Sequence, residues 1–163
     1  MTARSRSLHP IARYEDLDEI ESLAARFGDC SLPCVEWTHR AHLTVGLWTL
    51  REYGPDAALC RIRAGIQRYN AACGVVTTPT RGYHETITCF YMHVIGHYLA
   101  TLADRADWLA VTNGLLDRYG SPDLPLSYYT RERLMSPEAR AAWVEPDLRK
   151  LSGPSVDNAL AAP

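Results

Sequence analysis

Apolar residues along this chain recur mostly at spacings of three and four, the period of a helix with one buried face. Leu17, Ile20, Ala24 and Phe27 keep that rhythm behind the acids Glu15, Asp16 and Asp18, which suit the positive end of a helix dipole. A first helix is expected from Tyr14 to Phe27, ended by Gly28. A second passes through Leu43, Val45, Leu47, Trp48 and Leu50 to Tyr53 and closes at Gly54. Two starts fit it. With Pro33 in the first turn, Glu36 lies inside the helix; with Thr38 as N-cap, Glu36 lies outside.

Gly54-Pro55-Asp56 restarts a third helix, in which Leu59, Ile62, Ile66, Tyr69 and Cys73 repeat as far as Gly74. Arg61, Arg63 and Arg68 fall elsewhere on its circumference and read as a solvated face. Val75 to Arg81, interrupted by Pro79, reads as a loop with at most a short extended piece. A fourth helix, capped by Gly82 or Thr80, runs from Tyr83 to about Ala103. A fifth runs from Asp107 to Tyr119 before Gly120. Beyond a proline-rich loop, Tyr128 to Leu134 suggests a turn or two of helix. Ser136-Pro137-Glu138 opens a short helix that carries Trp143 and stops at Pro146.

The expected fold is therefore all-α: one irregular bundle of five main helices plus a short C-terminal helix over residues 14–150, with flexible termini at 1–13 and 151–163. The second and fourth helices, the most apolar, belong in the inner layer. A chain of 163 residues with 47% hydrophobic and 22% charged residues fits one ordinary domain. A net charge of -2 and no long basic run argue against nucleic acid. No apolar run approaches a membrane span, and Met1 to Ser7 has no hydrophobic signal core, so a cytoplasmic protein is expected. The five cysteines (Cys30, Cys34, Cys60, Cys73 and Cys89) form no paired knuckles and are expected to be reduced, Cys60 and Cys73 at apolar helical positions.

The candidate chemistry lies in Glu36-Trp37-Thr38-His39-Arg40-Ala41-His42-Leu43. Residues three apart share a helix face, so His39 and His42, and Glu36 if helical, can point at one centre. Two imidazoles and a carboxylate are the donor set of a divalent metal. His84, in Tyr83-His84-Glu85-Thr86-Ile87-Thr88, is the third expected ligand; a first-turn position would keep its ring neutral. Three protein ligands leave a position for water, with Glu85 as a base for it and Glu36 as either a fourth ligand or the base. Thr88, Tyr91 and Tyr83 are candidate pocket residues, and Arg131 a candidate carboxylate binder. His93 and His97 lie on the far side of their helix from His84 and cannot easily join it, and His9 is expected to be inert.

Those segments resemble an uncharacterised bacterial family of small helical proteins with Trp-Thr-His-x-x-His-Leu and Tyr-His-Glu-Thr-x-Thr motifs, here Trp37 to Leu43 and Tyr83 to Thr88. Residues 131 to 140 resemble the family's closing helix. The resemblance implies one helical domain and a grouped role for His39, His42 and His84, and carries no activity. The leading expectation is a metal-dependent enzyme for hydrolysis, elimination or isomerisation of a small-molecule substrate, with zinc the first expected ion and iron or another transition metal next. The alternatives are a non-haem iron(II) oxygen-dependent enzyme and a non-catalytic metal- or ligand-binding module. Homodimerisation is left open as a partner state.

Overall fold

The computed structural model describes residues 12–152. It is all-α: α1 (Leu17–Gly28), α2 (His39–Ala72), α3 (Glu85–Thr101) and α4 (Trp108–Tyr119) are followed by the short α5 (Arg131–Leu134) and α6 (Pro137–Ala141). Among the described residues, β pairing is confined to one isolated bridge between Thr78 and Arg81. The flexible segments expected at 1–13 and 151–163 lie outside the described residues, except for residues 12, 13, 151 and 152.

Side chains from the sequence set most helix starts. Asp16, Thr38, Asp107, Thr130 and Ser136 each accept a backbone N–H three residues on, satisfying one of the donors a helix start leaves open. Thr38 settles the open choice for the second helix, since Glu36 stands outside it in a 3-10 turn, Cys34–Glu36. The second and third expected helices are the two limbs of α2. They meet at Gly54, whose φ of 72° breaks the helix and which Pro55 follows. Two starts differ from expectation. α1 begins after Tyr14, and α3 is capped by His84 rather than by Gly82 or Thr80. α6 ends at Ala141, short of Trp143.

Two hydrophobic clusters share α3, which explains why that helix is apolar nearly all round. On one side Met92, Ile95, Tyr98 and Leu99 meet Ile20, Leu23 and Phe27 of α1, Leu43, Leu47, Ile62 and Tyr69 of α2, and Leu115 and Leu116 of α4. On the other, Phe90 and Val94 meet Tyr129, Leu134, Ala139 and Val144 of the C-terminal segment. The first limb of α2 passes close to α3 at Gly46, where a Cβ would stand 2.9 Å from Ile95 Cδ1. No helix among the described residues is long and apolar enough to cross a membrane.

The expectation that all five cysteines are reduced is corrected. Cys34 and Cys73 form a disulfide, tying the 3-10 turn before α2 to that helix's C-terminal end. The hairpin formed by the two limbs brings these distant positions together, which residue spacing alone does not reveal. Cys60, expected at an apolar position, is exposed; Cys30 is partly buried and Cys89 buried.

Candidate functional site

The histidines singled out from the sequence come from two different elements. His39 and His42 occupy the first turn of α2, and His84 precedes α3. His39 packs edge-on against Tyr91, ring centroids 5.1 Å apart. Tyr91 lies seven residues beyond His84, a rise of roughly 10 Å along a helix. Among the described residues no group of three or more His, Cys, Asp or Glu side chains is placed to hold a metal ion.

The bonding of each ring shows which of its nitrogens is occupied. His84 Nδ1 accepts the Ile87 N–H at 3.3 Å, which fixes the proton of the neutral ring on Nε2. Nε2 then donates to the Leu134 carbonyl at 2.9 Å. Both nitrogens are thus engaged, and no lone pair faces a ligand. Burial, helped by the nearby Arg140 cation and opposed by the Leu134 bond, holds its pKa below the ordinary histidine value.

The rest of that motif is equally occupied. Glu85 accepts hydrogen bonds from Arg63 Nε at 2.8 Å and from Arg63 Nη2, from the Tyr83 hydroxyl at 2.7 Å and from the Cys89 thiol at 3.1 Å. Thr86 Oγ1 donates to the Ala142 carbonyl at 2.8 Å and accepts the Val144 N–H at 3.1 Å. Thr88 Oγ1 donates to the His84 carbonyl. Arg140, on α6, donates to the carbonyls of Pro79, Gly82 and Tyr83. Residues 83–88 therefore form a clasp joining the second limb of α2, the start of α3 and the C-terminal segment. Arg63, read as part of a solvated face, is the cation at its centre. Burial and the adjoining Glu85 push the Cys89 thiol up to about 12, so it stays protonated and donates.

At the start of α2 the bonding is looser. His42 Nδ1 donates to the Thr38 carbonyl at 2.7 Å, leaving the Nε2 lone pair free, and its ring lies 3.9 Å from that of Trp37. His39 Nε2 is covered by protein and has no hydrogen-bond partner. Burial, with the neighbouring His42 as a lesser cause, lowers the His39 pKa to about 4. Glu36, outside the helix, pairs with Arg26 at 2.9 Å instead of joining the histidines. The Tyr91 hydroxyl donates to the Ser121 carbonyl, and Arg131 is exposed at the start of α5. On α3, His93 bonds the Ser152 carbonyl and His97 is exposed.

A different site carries more open chemistry. Between α1 and the two limbs of α2 lies a cleft of about 730 Å3, lined by residues that include Phe27, Val45, Trp48, Thr49, Tyr53 and Gly65. Arg51, Arg61 and Arg68 also line it, with Glu21 and Glu52. Two of these arginines, Arg61 and Arg68, are seven residues apart and hence on one helix face, which the sequence does signal. Arg51 joins them only because the chain folds back at Gly54. A smaller hollow of about 470 Å3 between α1 and the start of α2 is lined by Tyr14, Arg26, Glu36 and Arg40.

The described residues thus form an all-α bundle with a well-bonded clasp at residues 83–88 and an open, arginine-lined cleft between α1 and the two limbs of α2. No family model matches the sequence, and no match was found among curated proteins or solved structures. Those comparisons assign no role to any of these residues.

Proposed function

We propose that this protein is a small-molecule-binding module whose ligand occupies the cleft between α1 and the two limbs of α2. The observation that carries this reading is the cleft itself. Its volume of about 730 Å3 lies within the ~300–1,000 Å3 usual for small-molecule sites, and it combines aromatic walls with charged groups at its edge. Ala64, an exposed lining residue, offers a direct test. A panel of small organic acids, bases and neutral compounds is screened against the isotope-labelled full chain by amide NMR. Shifts should gather at Ala24, Thr49, Ala64 and Gly65 and vanish in Ala64→Trp, whose indole fills the cleft. Binding that leaves those amides unmoved refutes the reading. The disulfide favours an oxidising compartment over the cytoplasm.

One observation favours a second reading, the metal-dependent enzyme. His42 has its Nδ1 fixed by a backbone carbonyl, as metal-ligating histidines do, and His39 Nε2 has no partner one turn away. Such a site would use His39 and His42 without His84, and Tyr91 would have to yield before an ion could reach the covered nitrogen. Elemental analysis of tag-free protein decides it. Stoichiometric zinc or iron that disappears in His42→Ala but persists in His84→Ala supports the metal, and a metal-free wild type removes it.

A further inference from the structure

We propose that the ligand of the α1–α2 cleft is a small organic oxyanion with a flat apolar body, its charge held by Arg51, Arg61 and Arg68. The inference rests on the cleft being the binding site and adds the chemistry of the occupant. It comes from how the three guanidinium groups are held. The Arg51 guanidinium lies over the rings of Trp48 and Trp108, 4.1 and 4.8 Å from their centroids. The Arg61 group lies 4.6 Å over the Tyr53 ring. Arg68 Nη2 donates to the Gly28 carbonyl at 2.9 Å.

Each partner positions a cation without neutralising it. A ring face takes the face of a guanidinium and leaves its in-plane N–H groups free to donate, and Arg68 spends one donor of five. Carboxylates are at hand, since Glu21 and Glu52 line the same cleft, yet no carboxylate among the described residues comes within ion-pair distance of these three arginines. Arg13, Arg26, Arg40 and Arg63 each have one. Three cations against two anions also give the cleft a positive balance on a chain whose net charge is -2. Planar forks with free edges match carboxylate and phosphate oxygens, and the exposed Tyr53 ring, beside the lining edges of Trp48 and Phe27, offers apolar surface for a flat body.

The test uses anilinonaphthalene sulfonate, a flat fluorescent anion, titrated into the full-length oxidised protein, followed by displacement with benzoate, phenyl phosphate and neutral benzyl alcohol. One-site binding is expected, weakened about ten-fold or more by each of Arg51→Gln, Arg61→Gln and Arg68→Gln, since a charge-assisted hydrogen bond is lost each time. Affinity should also fall with added salt. Benzoate or phenyl phosphate should displace the dye where benzyl alcohol does not, and the better of the two identifies the acid group. Circular dichroism confirms that the variants fold, as expected for exposed side chains. If the triple Gln variant binds the dye as wild type does while Ala64→Trp abolishes binding, the oxyanion inference falls and the cleft stands. If Ala64→Trp binds normally, the cleft reading itself falls.

Discussion

Replacing Arg63 with methionine removes the cation that keeps Glu85 ionised inside the fold while retaining most of the apolar stem. Glu85 is 9% exposed and receives two of its four donors from Arg63. Breaking a buried ion pair costs about 3–5 kcal/mol. The Arg63 side chain is itself 26% exposed, so solvent screens part of the loss, and about 2–4 kcal/mol at pH 7 is expected. With a urea slope of ~1–3 kcal/mol/M, the unfolding midpoint should drop by about 1–2 M. Burial alone would push the Glu85 carboxyl up, but hydrogen bonds from Arg63, Tyr83 and Cys89 and the Arg63 charge hold it below the usual carboxylate value. In the native protein this stabilisation is therefore present above the unfolded pKa and lost as pH falls through the folded one. In Arg63→Met, burial is no longer opposed by a cation, the carboxyl titrates higher, and protonation relieves the penalty as pH falls. Both effects narrow the gap between wild type and variant in acid. Urea unfolding followed by circular dichroism at pH 7 and pH 4, with the disulfide intact, measures it. A gap under about 0.5 kcal/mol at pH 7, the size of a solvated surface pair, or an equal gap at both pH values refutes the reasoning.

Three more outcomes follow from the same contacts. Cys34→Ser opens a cross-link spanning 39 residues and should cost about 4 kcal/mol by loop-closure entropy; wild type in reductant should match the variant in denaturant unfolding. Thr86→Val leaves the Val144 N–H and the Ala142 carbonyl without their partner, so amide exchange should quicken across residues 139–148 and stability fall by about 1–3 kcal/mol. His39 titrates near 4 in the fold against 6.5 in its ordinary state, so it contributes stability fully present above pH 6.5 and lost as pH falls toward 4. His39→Phe should flatten that dependence by on the order of 2 kcal/mol in thermal or urea unfolding, allowing for its partly exposed ring.

The helices were legible because local rules and tertiary packing agree in them. Apolar spacing, the acids before Leu17, the Thr38 alternative and the Gly54-Pro55 break all reappear as helix faces, caps and the turn within α2. What the sequence hides is what the turn at Gly54 brings together. It sets Cys73 beside Cys34, and it places Arg51 against the face that carries Arg61 and Arg68. Arg63 shows the same limit within a single helix. Two residues from Arg61 it points elsewhere, toward α3, and only the three-dimensional path supplies Glu85 as its partner.

The bonding of His84 was not legible in the sequence, for a local reason. A helical-wheel argument treats a polar residue near a helix start as a side chain pointing outward, available to bind. At the start of α3 no Ser, Thr, Asp or Asn occupies positions 82–84, yet the first N–H groups of the helix still need an acceptor. The imidazole is the nearest side chain able to supply one, and accepting the Ile87 N–H commits Nδ1. The proton then resides on Nε2 and must find an acceptor of its own, which Leu134 provides from the C-terminal segment. Local capping demand thus converts a candidate ligand into a donor that clasps two segments together. His42 passes the same test differently. Thr38 already caps α2, so the His42 ring is free to use Nδ1 as a donor and keep Nε2 open. In His84 the capping role takes Nδ1 and the Leu134 carbonyl takes the Nε2 proton, whereas in His42, within a helix that Thr38 already caps, Nδ1 donates and Nε2 keeps its lone pair.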